Sequence, residues 1–170
     1  MDIMVHGHGR LIWDGQDYEC RLGRSGLMLD KREGDGATPI GVWPVRAVLY
    51  RPDRVARPET ALPVRPIDAD DGWCDDPAHG DYNRPVRLPH PASCEKMWRD
   101  DHLYDVVVVL GHNDAPPVAG LGSAIFLHVA DPDGKPTQGC VALALPDLLT
   151  MLKTCRPGDR LVVVALPEQG

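Results

Sequence analysis

Glycine and proline divide this chain into short apolar runs, and this feature limits its fold more than any other. Each occurs 17 times among the 170 residues, and together they follow no repeat. Both residues mark turns and interrupt helices, so the pattern favours short strands joined by long ordered loops. We therefore predict a mainly β fold. The length suits a single domain, residues 1–170, with a sizeable core.

Several of these runs have the composition of strands. Asp14-Gly15 between two short runs is a strong hairpin signal. Pro44 marks its own strand as an edge or a bulged strand, because proline cannot donate to the ladder. Two later runs are short, rich in β-branched residues and bounded by glycine, as buried strands are. The strands are predicted at 10–13, 17–22, 40–50, 104–111, 123–129 and 160–165.

The sequence predicts one helix and one long insertion. Pro146 suits a first helical position, and an apolar stripe runs from Leu145 through Leu148, Leu149 and Leu152 to Cys155. This helix should stop at 156–159. Residues 51–103 are rich in proline, aspartate and arginine and have little periodicity. Such a segment is too long for an ordinary connection, so it is predicted to be a functional insertion or a lid.

Charge and hydropathy exclude several classes of function. The net charge is −7, and no basic patch stands out, so nucleic acid is not an expected partner. No apolar stretch is long enough to span a membrane. The opening MDIMVHGHGR lacks the pattern of a signal peptide. These observations alone leave two expectations: the protein stays in the cytoplasm, or its export signal has been removed.

His128 and Cys140 form the strongest catalytic signal. Cys140 follows a polar loop and Gly139 and precedes the predicted helix, while His128 ends an apolar run upstream. An imidazole can take the proton of a nearby thiol and stabilise the thiolate, which is the nucleophilic form. Gly139 leaves the backbone open, so N–H groups could stabilise an oxyanion. The pattern predicts a cysteine acyltransferase or hydrolase. A packed cysteine and a core histidine remain the alternatives.

The other polar residues give weaker signals. His112-Asn113 follows the predicted strand 104–111 and could either supply a third catalytic residue, line the pocket or lie in a solvated loop. The segment 34–39 lacks the ending of a phosphate loop and is predicted to be a tight structured turn. No metal site and no cofactor are predicted, because the potential ligands lack paired zinc spacing. Those ligands are His6, His8, Cys74, His79, Cys94, His112, His128 and Cys140.

Three separated segments together resemble the L,D-transpeptidase catalytic domain, also called the YkuD-like domain. They read GDGATPIGVWPV, HVADPDGKPTQGCVALALPDLL and PGDRLVVV. The resemblance covers residues 1–50 and 104–166 and implies a β-sandwich. It also implies that Cys140 is the nucleophile, that His128 is the general base and that the Gly139-Cys140 stretch forms the oxyanion hole. Thr137 matches a serine or threonine of the family motif.

Two residues depart from that motif. Gln138 stands where the family usually has histidine, and Ala142 stands where it usually has arginine or asparagine. These departures suggest a divergent subgroup with altered substrate contacts. The insertion is similar to that of a proteobacterial subgroup, which joins first-position L-alanine to diaminopimelate instead of joining two third-position diaminopimelates.

The resemblance implies peptidoglycan cross-linking, cell-wall biogenesis and a role in cell shape. The expected reaction is acylation of Cys140 by a stem peptide and transfer to the side-chain amine of meso-diaminopimelate. Hydrolysis by an L,D-carboxypeptidase and binding by an inactive module are the alternatives. A periplasmic location and acylation by carbapenems are further expectations. The predicted substrate-binding residues are Trp73, Tyr82, Arg84, Trp98, Tyr104, His112, Asn113, Thr137 and Gln138.

Overall fold

A computed structural model describes residues 1–165, and within this range the chain is mainly β with one short helix, as predicted. The strands are β1 Asp2–His6, β2 Arg10–Trp13, β3 Gln16–Arg21, β4 Leu27–Met28, β5 Thr38–Pro39, β6 Gly41–Tyr50, β7 Val64–Pro66, β8 Asp71–Cys74, β9 Pro85–Arg87, β10 Cys94–Lys96, β11 Val106–Leu110, β12 Phe126–Val129, β13 Val141–Leu143 and β14 Arg160–Val164. The helix α1 is Leu145–Leu152. It is too short to cross a bilayer, and no membrane-spanning helix occurs in residues 1–165.

Two strands shared between layers close the β-sandwich. The first part of β6 pairs with β14, and its second part pairs with β11. Strand β3 likewise pairs with β2 along most of its length and with β13 at its end. The hydrogen-bonded order is therefore β11-β12-β13-β3-β2-β1-β14-β6, and β6 pairs back to β11. Because the ring of strands closes on itself, few backbone edges are left unpaired.

The sandwich is filled by alternating side chains and by the helix. Leu127 and Val129 of β12 belong to the central core, while the buried Phe126 belongs to a second cluster on the opposite face of the strand. Helix α1 buries Leu148 and Leu152 in the central core. Every residue of β12 and β13 is buried, so both faces of these strands are covered.

The predicted elements are found with shifted ends. The hairpin is confirmed, since β2 and β3 flank Asp14 and Gly15, whose φ angles of 48° and 74° suit a tight turn. The helix ends at Leu152 and is shorter than its apolar stripe, although Cys155 is still buried. Strand β6 is interior. Its pairing with β11 skips Arg46, a register irregularity close to Pro44. Pro44 itself lies where β6 passes from its pairing with β14 to its pairing with β11.

The insertion covers the outer face of β11 and β12. It contains the three-stranded sheet β10-β8-β9 and also β7, which pairs in parallel with β6. Ile67, Trp73 and Met97 from the insertion pack with Phe126 and Cys140 in the second cluster. This packing places the insertion directly over the face of the sheet that carries the predicted catalytic residues.

Candidate active site

His128 and Cys140 lie on the same face of neighbouring parallel strands. The register of β12 and β13 pairs Leu127 with Val141 and His128 with Ala142. Because side chains alternate along a strand, His128 and Cys140 both project away from the central core, toward the insertion. Both line one cavity of about 470 Å³. The structure therefore brings together the two residues that the sequence singled out.

The thiol of Cys140 is buried and satisfied by the backbone. Its Sγ donates to the carbonyl of Ala124 at 3.2 Å and accepts from the N–H of Phe126 at 3.3 Å. Burial, with a smaller contribution from the carboxylate of Glu95, raises the pKa of Cys140 to about 12. In this arrangement Cys140 is a neutral thiol whose proton points at a carbonyl.

His128 has the tautomer that a general base needs. Its Nδ1 lies 2.8 Å from the carbonyl oxygen of Val129, so Nδ1–H donates there and Nε2 keeps a free lone pair. The ring is buried, and burial lowers the pKa of His128 to about 4. Tyr104 packs edge-on against the imidazole with ring centroids 5.3 Å apart. A backbone carbonyl therefore orients the ring.

The backbone next to Cys140 requires a glycine at position 139. The φ of Gly139 is 140°, and a Cβ at this position would lie 2.7 Å from the carbonyl oxygen of Ala37. Its N–H donates to the hydroxyl of Thr137 at 3.0 Å, and that hydroxyl donates to the carbonyl of Cys140 at 2.6 Å. Thr137 thus holds residues 137–140 closed, a segment called here the nucleophile loop after the predicted role of Cys140. The N–H of Gly139, expected in an oxyanion hole, has a protein partner in this state.

The predicted turn at residues 34–39, which contains two glycines, supports the nucleophile loop. Asp35 accepts from the backbone N–H of Arg32 at 2.8 Å and of Ala37 at 2.9 Å, and it also binds the Lys31 ammonium. The hydroxyl of Thr38 accepts from the N–H of Gly23 at 2.8 Å. The predicted structured turn is confirmed, and Ala37 of this turn is the residue that abuts Gly139.

Gly23 and Arg24, which follow β3, hold the other side of the same loop. Gly23 forms a parallel bridge with Thr137, and Arg24 donates from Nε to the side-chain oxygen of Gln138 at 3.1 Å. Gln138, which replaces the usual histidine, is thereby tied to Arg24. Ala142 lies opposite Arg21 across β3 and β13, in the position where the family motif usually has a polar side chain.

Only three of the nine predicted substrate-binding residues line the cavity that holds Cys140: Tyr104, Thr137 and Gln138. Trp73, Arg84 and His112 line a separate cavity of about 170 Å³. Trp98 packs beneath the guanidinium of Arg51, and Asn113 bonds to the carbonyls of Val118 and Gly122. Tyr82 reaches the cavity wall indirectly, because its hydroxyl donates to Glu33 at 2.8 Å. Most of the predicted aromatic contacts thus lie away from the cavity.

Charged residues that the sequence analysis did not single out form much of the cavity wall. The cations are Lys31, Arg99 and Lys135, and the anions are Glu33, Asp75, Glu95 and Asp131. Glu95 accepts from the hydroxyl of Tyr104, and burial raises its pKa. Asp75 has a buried Oδ1 with no hydrogen-bond partner among the described residues. The only sequence feature that could have pointed to this charged wall is the cluster of charged residues at 31–35, just before Thr38-Pro39.

Asn83 of the insertion fixes the backbone beside the thiol. Its Oδ1 accepts from the N–H of Ala124 at 3.0 Å and from the indole of Trp73 at 2.9 Å. Its Nδ2 donates to the carbonyls of His112 and Asn113 at 3.1 and 2.7 Å. Ala124 has a φ of 52°, a left-handed conformation that costs an alanine energy. The carbonyl of the same Ala124 accepts the hydrogen bond from the Cys140 thiol, so the insertion helps to shape the site.

Potential metal ligands lie in the insertion, outside the cavity lining. Cys74, His90 and Cys94 form one group, and His79, Asp81 and His90 form an overlapping one. In the described part of the chain, no such group includes His128 or Cys140.

The solved structures similar to the chain include two of one protein. The helical cell shape determining protein Pgp2 from Campylobacter jejuni has 14% identity and a TM-score of 0.45, covering 98% of this chain and 48% of that chain. A mutant of the same protein has 16% identity and a TM-score of 0.40, covering 98% and 47%. The chain thus spans about half the length of each. No curated protein sequence matches it.

A family model matches almost the whole described chain. The match covers residues 3–164, from β1 to the end of β14, and includes both His128 and Cys140. It also spans the insertion, the turn at residues 34–39 and the nucleophile loop. The chain therefore belongs to the family of YkuD domains, the L,D-transpeptidase catalytic domain.

Proposed function

We propose that this chain is a cysteine acyltransferase that cross-links peptidoglycan stem peptides in the periplasm. The observation that carries the proposal is the shared cavity of Cys140 and His128, in which the Nε2 lone pair of His128 is left free by the bond from Nδ1 to Val129. A thiol and an unprotonated imidazole in one pocket can perform nucleophilic acyl transfer without a cofactor.

The acylation step begins from a neutral pair. Sγ of Cys140 leaves the Ala124 carbonyl and attacks the carbonyl carbon of the donor peptide, while Nε2 of His128 takes the thiol proton. The tetrahedral intermediate then expels the leaving amine, to which His128 returns that proton. A thioester on Cys140 remains. The Cys140 N–H is the proposed oxyanion donor, joined by that of Gly139 once its bond to Thr137 opens.

The transfer step uses the same residues in the opposite order. The side-chain amine of meso-diaminopimelate on a second stem attacks the thioester, and His128 accepts a proton from that amine. The new amide forms as the Cys140 thiolate leaves and takes up a proton. Water in place of the amine would give the L,D-carboxypeptidase reaction, so exclusion of water from the cavity decides between transfer and hydrolysis.

The charges of the cavity suit zwitterionic stem peptides. Diaminopimelate carries both an amine and a carboxylate, and the wall offers both Arg99 and Lys135 for carboxylates and Asp131 for an amine. The insertion contributes Asp75, Glu95 and Arg99 to this wall. We propose that these insertion residues select the donor carbonyl, and that this donor is first-position L-alanine, which gives a 1–3 cross-link.

The proposal is tested with purified diaminopimelate muropeptides and mass spectrometry. Wild-type protein should form dimers, and Cys140→Ala should form none while keeping its fold by circular dichroism. Cys155→Ala is the matched control, because Cys155 is buried in the central core away from the cavity and its loss should leave dimer formation intact. Fragmentation of the dimers identifies the donor carbonyl. Muropeptides left unchanged by the folded wild type would overturn the proposal.

One observation favours a second candidate, a peptidoglycan-binding module without catalysis. Burial holds the pKa of Cys140 near 12, and Thr137 occupies the Gly139 N–H, so the resting site is not activated. The two candidates differ in their response to a carbapenem. A catalytic site should gain the mass of one carbapenem on Cys140 and none in Cys140→Ala. A binding module should retain muropeptide affinity in both proteins and remain unlabelled.

A further inference from the structure

Cys74 and Cys94 face each other across the small sheet of the insertion. They are register partners in the antiparallel pair of β8 and β10. The N–H of Asp75 donates to the carbonyl of the adjacent partner Ser93 at 3.2 Å, and further along the ladder the N–H of Met97 donates to the carbonyl of Asp71 at 3.0 Å. Hydrogen-bonded and non-hydrogen-bonded pairs alternate along an antiparallel ladder. The two cysteines therefore occupy a non-hydrogen-bonded position, where opposing side chains approach most closely.

His90 completes a group of three potential ligands, two sulfurs and one nitrogen. It precedes Cys94 by four residues, and one ligand atom from each of Cys74, His90 and Cys94 lies within 4.8 Å of the others. Cys74 is fully buried, and the His90 side chain is only 10% exposed. Two thiols and one imidazole that converge in this way offer the donor set typical of zinc.

The hydrogen bonds of His90 leave one nitrogen suited to a metal ion. Its Nε2 lies 3.0 Å from Oδ2 of Asp81, and its Nδ1 accepts from the N–H of Ala92 at 3.1 Å. Nε2 therefore carries the proton, and Nδ1 carries the lone pair. A carboxylate that holds the distal N–H of a histidine is the usual support of a zinc-bound imidazole.

We propose that Cys74, Cys94 and Nδ1 of His90 bind one zinc ion, with Asp81 orienting His90 through Nε2. Binding releases the two thiol protons to solvent and exchanges the contact between Nδ1 and the Ala92 N–H for the metal. In a tetrahedral site the two sulfurs stand about 3.8 Å apart. The two Sγ atoms already lie within 4.8 Å of each other, so binding requires little movement. Solvent takes the fourth position, since no fourth side chain of residues 1–165 joins this group.

The proposed ion would stabilise the wall of the catalytic cavity. Side chains alternate along β8 and β10, so the neighbours of the two cysteines project to the opposite face. Asp75 and Glu95, which directly follow Cys74 and Cys94, line the cavity that holds Cys140. Zinc would thus link the two strands that place these carboxylates, although it makes no contact with the nucleophile.

The site is tested by metal content and cobalt spectroscopy of the reduced whole chain. Wild-type protein supplied with zinc should retain one ion per chain after gel filtration, and cobalt should give sulfur-to-metal charge-transfer absorption. Cys74→Ser, Cys94→Ser and His90→Ala should lose the ion. Asp81→Asn should keep it with an affinity lowered by roughly 10- to 100-fold. Cys20→Ser and Cys155→Ser are controls, since both cysteines are buried elsewhere and should not change the stoichiometry.

Two results would overturn the proposal. The first is a folded, fully reduced wild type that takes up no zinc in competition with a chromogenic chelator. The second is a native Cys74–Cys94 disulfide, identified by peptide mass mapping. If the ligand variants fail to fold, the wild type alone can serve for the test. Zinc is removed and restored reversibly, and NMR spectra should show the ring nitrogen signals of His90 change with the metal. None of these readouts depends on acyltransferase activity, so the two proposals can fail separately.

Discussion

At the residue scale, the site combines a protonated thiol with an unprotonated imidazole. Burial raises the pKa of Cys140 to about 12 and lowers that of His128 to about 4. Both shifts have the same cause, because removing water disfavours the charged form of either group. Between these values neither residue carries charge. In the proposed reaction, the thiolate would therefore form only during attack on the substrate, as His128 takes the proton.

This protonation state predicts the reactivity of Cys140 toward iodoacetamide. Only the thiolate reacts, and below the pKa its fraction rises about tenfold per pH unit. The rate of alkylation of Cys140 should therefore rise with that slope from about pH 7 to about pH 10 and show no plateau. Peptide mass spectrometry separates Cys140 from the more exposed Cys94.

His128→Asn is the matched variant for this measurement. Its alkylation profile should keep the wild-type slope, because a neutral imidazole does not stabilise the thiolate. A plateau below about pH 8 in the wild type that disappears in His128→Asn would instead reveal a preformed thiolate–imidazolium pair and would contradict the neutral-pair prediction.

At the element scale, the insertion and the sandwich meet through Asn83. This side chain bonds to Trp73 within the insertion and to Ala124, His112 and Asn113 of the segments next to β11 and β12. Asn83 itself has a φ of 55°, which asparagine tolerates better than most residues. These contacts thus fix the insertion to the segment whose carbonyl accepts the hydrogen bond from the Cys140 thiol.

Asn83→Ala should lower the free energy of unfolding by about 2–4 kcal/mol, since it leaves the Trp73 indole and the Ala124 N–H unpaired in a buried site. Urea denaturation measures the loss. Asn83→Gly removes the same side chain without the penalty of a left-handed alanine, so it should be slightly less destabilising. Stabilities of both variants within about 0.5 kcal/mol of the wild type would show that these hydrogen bonds contribute little.

At the scale of the whole molecule, two buried histidines link stability to pH. Burial lowers the pKa of His112 and of His128 to about 4, whereas an unfolded histidine titrates near 6.5. Between these values the unfolded chain binds protons that the folded chain does not bind. The stabilisation is therefore complete above about pH 6.5 and falls as the pH drops toward about 4.

Urea denaturation at about pH 7 and about pH 5 should consequently show a lower free energy of unfolding at the acidic value. His112→Phe should reduce this difference, because phenylalanine takes up no proton and can keep an edge contact with Trp43, whose ring centroid lies 4.7 Å from that of His112. Equal free energies of unfolding of the wild type at both pH values would show that the unfolded chain binds no more protons than the folded chain.

The sequence by itself determined the local features of the protein. The Asp14-Gly15 hairpin, the apolar runs of β11 and β12 and the Pro146 helix start are confirmed because each depends on a few adjacent residues. The family assignment is confirmed for the same reason, since its motifs are contiguous stretches. The roles of Cys140 and His128 remain predictions, although the structure places both in one cavity.

Only the tertiary structure decided the surroundings of that pair. The protonation states depend on burial, and burial of Cys140 depends on an insertion that the sequence described only as loop-rich. The charged wall, the contacts of Asn83 and the approach of Cys74 to His90 and Cys94 join residues far apart in the chain. Sequence spacing predicted no metal site, because Cys74 reaches His90 and Cys94 only after β8 pairs with β10. Local patterns fix local geometry, whereas electrostatics and ligand sets depend on which distant segments pack together.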